Sequence, residues 1–176
     1  RGAEVIGTAS AGKHDRLKAA GVAHCIDYRT QDFEAEVTRI TGGEGVHHAL
    51  DAQGGRSFSK SYRCLTDFGR LYCFGAASFA PGTTRNPLAL VKGLLGSRRW
   101  SPFDLMDNNR GVFGVNVGHL WHRADALRGM LDQIVARTAS GTYAPVVDAV
   151  FPLAETGEAH AYIQARKNFG KVLVEA

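Results

Sequence analysis

Short β-branched, apolar runs alternate along this chain with longer stretches of helical periodicity, and that alternation constrains the fold more than any other feature. Residues 3–8, 22–28, 46–52, 69–75, 112–117, 146–150 and 171–174 read as strands. Between them, 13–20, 32–41, 57–65, 125–140 and 155–166 read as helices. The second of these carries Phe33, Val37 and Ile40 at i, i+4 and i+7 behind Asp32, an acidic N-cap. Strands joined by crossover helices pair in parallel, so the expected fold class is α/β with a doubly wound parallel sheet. Such a sheet takes its ligand at the carboxyl ends of its strands. Residues 8–13, 27–29, 51–55, 74–78 and 114–118 are therefore the segments that matter. Residues 76–110, with Pro81, Pro87 and Pro102, form an excursion carrying short helices around 88–95 and 103–108.

Charge and cysteine usage exclude several classes of partner. The net charge is +4, from 21 Lys and Arg against 17 Asp and Glu, and the signs are interspersed. No block of like charges is long enough to favour nucleic acid or a membrane surface. No apolar run reaches the ~18 residues of a membrane-spanning helix, so no integral membrane segment is expected. Cys25, Cys64 and Cys73 form no C-x-x-C pair and read as free thiols of a reducing, cytoplasmic compartment. The chain opens without Met on a strand-like run and reads as an interior piece of something longer.

The turn after the first strand, Thr8-Ala9-Ser10-Ala11-Gly12-Lys13, is the most informative candidate site. Enzymes that prefer NAD place an acidic residue here to bond the ribose 2′-hydroxyl. Ser10 and Lys13 instead offer a hydroxyl and a cation, which suit a 2′-phosphate. From the residues alone, an ordinary N-cap serine beside a solvated lysine is the alternative and the weightier reading of the pair. No G-x-G-x-x-G is present, and Gly43-Glu44-Gly45 fails at the last position. His47 and His48 would face opposite sides of a strand, and His119 and His122 lack further ligands, so no metal site is expected. There is no G-x-S-x-G and no evident carboxylate pair, which leaves no catalytic residue identified.

Five segments in register support a family. Residues 5–13 (VIGTASAGK), 21–28 (GVAHCIDY), 46–55 (VHHALDAQGG), 69–75 (GRLYCFG) and 151–174, ending RKNFGKVLV, follow one another in order. With them the chain resembles the C-terminal, cofactor-binding half of the zinc-independent medium-chain dehydrogenase/reductases. It looks most like the quinone oxidoreductases, in the branch of the synaptic-vesicle membrane protein homologues. RNPLAL at 85–90 and G-x-Y-x-P-x-V-D at 141–148 strengthen that placement.

The resemblance implies NADPH as cofactor and particular roles. Ser10 and Lys13 would hold the 2′-phosphate, with Tyr28 near it and the adenosine. Gly54 and Gly55 would let the cofactor pass close to the backbone. Phe74, Gly75 and Ala76 would line the nicotinamide-ribose side, and Phe113, Gly114, Val115 and Asn116 would meet the nicotinamide. Asn168, Gly170 and Lys171 would return towards the pyrophosphate. The expected architecture is a partial Rossmann-type sheet lacking its first strand and Gly-rich turn. Residues 1–140 would form the incomplete NADP-binding domain, and 141–176 a strand-helix-strand segment returning to a catalytic domain. The function implied for the parent is zinc-free hydride transfer to a quinone or α,β-unsaturated carbonyl, with the fragment alone inactive. A homodimer would form through the 112–117 strand. The competing expectation is a non-catalytic nucleotide-binding or interaction module of the same fold.

Overall fold

Every strand pair is parallel, as crossover connections require. The structure, a computed structural model, describes residues 2–77 and 99–176, so the expected helix around 88–95 lies outside the described residues. It divides into two compact units, Arg1–Val115 and Asn116–Ala176.

In the first unit β1 (Ile6–Ala9) pairs with β2 (His24–Asp27) across α1 (His14–Ala19). A second sheet has the order β3 (Val46–Asp51), β4 (Leu65–Cys73), β5 (Gly111–Gly114). Helix α2 (Phe33–Ile40) leads into β3, α3 (Arg56–Arg63) joins β3 to β4, and α4 (Pro102–Asp107) precedes β5. Among the described residues β1 and β3 do not pair with each other. Their side chains nevertheless share one core: Ile6 and Val46 both pack on Ile26, Val37 and Cys64. This is a partial doubly wound, Rossmann-type sheet, in line with the sequence.

The local signals explain most boundaries. Asp32 caps α2 by accepting from the Glu34 N–H at 2.9 Å. Ser101 and Asp104 cap α4 reciprocally, with Pro102 in its first turn. On β3–β5 the two-residue period puts Ala49, Leu71 and Val112 against α3 with Tyr62 and Phe58. Leu71 is fully buried, while Leu50 on the other face is 73% exposed.

Several boundaries move, and for two of them the structure shows the cause. β4 begins at Leu65 rather than 69, because Phe68 turns into a left-handed conformation (φ 60°) and the β3–β4 register shifts between Val46 and His48. β5 ends at Gly114 rather than 117, because the Asn116 side chain accepts from the Gly118 N–H at 3.1 Å and starts a 3-10 turn at 117–119.

The second unit pairs β6 (Val147–Pro152) with β7 (Lys171–Glu175) across α6 (Thr156–Gln164). Tyr162 of α6 donates to Asp148 at 2.9 Å and packs on Phe151. Helix α5 (Ala124–Ala139) buries none of its residues. Leu131, Ile134 and Val135, which its spacing sets on one face, stay more than half exposed.

Candidate functional site

The carboxyl ends of the first unit's strands carry most of the residues singled out above. β1 ends on Ala9, paired with Asp27 at the end of β2, so the turns bearing Ser10 and Tyr28 leave adjacent strand ends. Ser10 is extended (φ −67°, ψ 147°) and its carbonyl accepts the Lys13 N–H at 2.9 Å. The His14 ring meets the Ala9 carbonyl at 3.1 Å and closes the base of the turn. Ser10 and Lys13 are partly buried, Tyr28 exposed.

β3 ends on Asp51, a carboxylate only 5% exposed. One of its oxygens accepts from the Gln53 N–H at 2.7 Å and the Gly54 N–H at 3.4 Å. The other accepts from the Ser57 and Ser61 hydroxyls of α3, each at 2.7 Å. Gly54 (φ 80°) and Gly55 (φ 59°) follow in buried, left-handed conformations that a side chain would strain. The Asp51 carbonyl accepts from the Phe74 N–H and the Ala52 carbonyl from the Ala77 N–H, both at 3.1 Å. Gly75 sits so close that a Cβ on it would lie 2.7 Å from the Ala52 oxygen. Beyond β4, the Val115 N–H donates to the Cys73 carbonyl at 2.8 Å, and the exposed Phe113 ring meets Tyr72 edge-on at 6.1 Å.

Gly54, Gly55, Phe74, Gly75, Ala76, Phe113, Gly114 and Val115 thus stand at the carboxyl edge of one three-stranded sheet. Ser10, Lys13 and Tyr28 stand at the same edge of the other. Asn116, Asn168, Gly170 and Lys171 belong to the second unit. There Asn168 donates to the Gly170 carbonyl at 3.1 Å, and the Lys171 N–H to the Val146 carbonyl at 2.8 Å. A Cβ on Gly170 (φ 116°) would fall 2.4 Å from that Val146 oxygen.

No role is assigned to Asp51 from the sequence, although a readable sign is there: serines six and ten residues on, one helical turn apart. Burial pushes the Cys73 thiol up to about 11, the Asp51 charge adding to the effect, and burial pushes Cys64 up to about 11 as well. The edge offers glycine surfaces and the exposed rings of Phe74 and Phe113. That is equipment for holding a ligand, and no acid or base among these residues is placed for proton transfer.

A parallel, doubly wound sheet with left-handed glycines at its carboxyl edge defines a dehydrogenase-type domain. The zinc-binding dehydrogenase family profile matches residues 20–174, and the chain belongs to that family, within the medium-chain dehydrogenase/reductases. Its branch is that of the VAT-1 homologues. The chain is 34% identical over 170 residues to the human synaptic vesicle membrane protein VAT-1 homolog, covering 97% of this chain and 43% of that protein. It is 30% identical over 178 residues to a 2-haloacrylate reductase of a Burkholderia species, covering 98% of this chain and 48% of that one. A mycobacterial quinone oxidoreductase structure superposes with a TM-score of 0.69 at 25% identity, over 96% of this chain and 48% of that chain. The chain therefore spans less than half the length of these relatives.

The family implies a nicotinamide cofactor and, by its description, zinc. The left-handed, buried Gly54-Gly55 turn and the open space beside Gly114 fit a nucleotide passing close to the backbone. Among the described residues no three His, Cys, Asp or Glu gather as ligands for a metal ion, and no step is assigned to one. No helix among them is long and apolar enough to cross a membrane.

Proposed function

We propose that this chain is the cofactor-binding part of a zinc-free, NADPH-dependent reductase whose acceptor is a quinone or an α,β-unsaturated carbonyl. The observation that carries the reading is the turn after β1. Ser10 and Lys13 occupy it where NAD-preferring domains hold an acid, and Tyr28 leaves the adjacent strand end. The bound nicotinamide would supply a hydride. Ser10, Lys13 and Tyr28 would then bind the adenosine end, and Gly54 and Gly55 would let the pyrophosphate side approach the main chain. Phe74, Gly75, Ala76, Phe113, Gly114 and Val115 would orient the nicotinamide; for Asn116, Asn168, Gly170 and Lys171, which lie in the second unit, cofactor contact is what the family resemblance implies. The names of the 2-haloacrylate reductase and the quinone oxidoreductase support an electron-poor, conjugated acceptor.

The same reading assigns 1–140 to the nucleotide-binding domain and 141–176 to a segment returning to a catalytic domain. It further takes β5 as the joint of a homodimer, and the cytoplasm as the setting, on three cysteines that are all free. Fluorescence titration with NADPH and NADH is the test. Tighter NADPH binding is expected; equal affinities, tighter NADH binding, or no binding of either would overturn the proposal.

A further inference from the structure

We infer that Asp51 is a positioning residue that holds both glycine turns of the nucleotide edge in their binding geometry, without itself touching the ligand. The inference rests on the proposed nucleotide function of that edge.

Asp51 lies at the end of β3 with its carboxylate out of solvent and no cation against it among the described residues. Four donors satisfy it instead: two main-chain N–H groups of the following turn and two hydroxyls from successive turns of α3. A buried carboxylate without such donors would be strongly unfavourable. Its presence therefore commits residues 53–54 and the first turns of α3 to one arrangement, with the left-handed Gly54 and Gly55 held between them. The same residue reaches the next turn through the main chain. Its own carbonyl and that of Ala52 accept from Phe74 and Ala77, and Ala52 lies where a Cβ on Gly75 would clash. A shift of residues 52–54 would displace both turns together. The side chain itself is engaged by four donors and 5% exposed, which leaves it little to offer a ligand directly.

The experiment compares Asp51→Ala and Asp51→Asn with the wild-type 176-residue chain. Three quantities are read: NADPH affinity well below the melting midpoint, the midpoint itself, and amide hydrogen exchange. Asn keeps an acceptor for the two main-chain N–H groups, and its amide can donate to a serine hydroxyl. Asp51→Ala is expected to weaken NADPH about tenfold, the loss of hydrogen bonds to a charged group. It should also speed exchange at Gln53, Gly54 and Ala77, while Asp51→Asn recovers most of both. Lowered midpoints with unchanged NADPH affinity would reduce Asp51 to a stability role and overturn the inference. If the wild-type chain binds neither NADPH nor NADH, the proposed function fails. Exchange at Ala77 then decides alone whether Asp51 couples the two turns, and no acceleration there overturns the inference. Should Asp51→Ala fail to fold, the double variant Ser57→Ala, Ser61→Ala removes two of the four donors and is read the same way.

Discussion

Val115 donates its backbone N–H to the Cys73 carbonyl at 2.8 Å, so this residue faces inward across the β4–β5 ladder. The alternation of a parallel ladder then turns the N–H groups of Val112 and Gly114 to the opposite side of β5, which pairs with no strand among the described residues. An edge of this kind is where a second sheet can join. Gly114→Pro removes an outward donor, which edge strands tolerate, and is expected to weaken self-association in sedimentation over a concentration series. Val115→Pro instead breaks an internal hydrogen bond and should destabilise the sheet. A dimer indifferent to Gly114→Pro places the interface elsewhere.

Lys13→Ala is expected to weaken NADPH by ~1–3 kcal/mol, the range for a charge-assisted hydrogen bond, and to leave NADH nearly unchanged. Paired titrations measure it. Equal losses for both cofactors would mean that Lys13 does not meet the 2′-phosphate.

Acid sensitivity should concentrate at the contact of α2 with α3. The Arg63 guanidinium reaches Glu34 with two hydrogen bonds, at 2.5 and 2.7 Å, and holds its carboxyl below the usual range; Lys60 does the same for Asp32. A depressed folded-state pKa contributes stability that is fully present above the unfolded value, about 4.3 for Glu, and is lost as pH falls through the folded value. Glu34 is half-buried but its partner Arg63 is exposed, so the pair contributes less than ~1 kcal/mol after screening. Urea midpoints followed downward from pH 5 should fall more steeply for wild type than for Glu34→Gln. Parallel curves would show the pair to be inert.

Thiol reactivity offers an independent check on burial. With Cys64 and Cys73 each pushed up to about 11, only ~0.1% of either is thiolate at pH 8, and the thiolate is the reactive form. Iodoacetamide followed by peptide mapping should label both slowly at pH 8 and much faster towards pH 11. Rapid labelling of Cys73 at pH 8 would show that the end of β4 opens.

The sequence was most legible where one residue decides a local outcome. Asp32 announces the start of α2, and Gly42-Gly43 close it. It was least legible where the deciding partner is distant or off-pattern. Phe68 adopts a left-handed conformation that aromatic residues rarely take, so β4 looked as if it started four residues later than it does. Asn116 bonds its own turn and cuts β5 short. Asp51 finds its donors in the next helix, and Gly75 owes its identity to Ala52, 23 positions earlier. Helix α5 was read over 125–140, and its spacing sets Leu131, Ile134 and Val135 on one face. Its periodicity could not say whether anything covers it.

Gly170 leaves a mark that genetics can see. With its main chain left-handed and the Val146 oxygen filling the place of a side chain, every other amino acid at this position meets both backbone strain and collision. The third base of its codon is free to drift, while changes at the first two are exposed to selection. In a population of related genes, codon 170 should carry synonymous variation and almost nothing else.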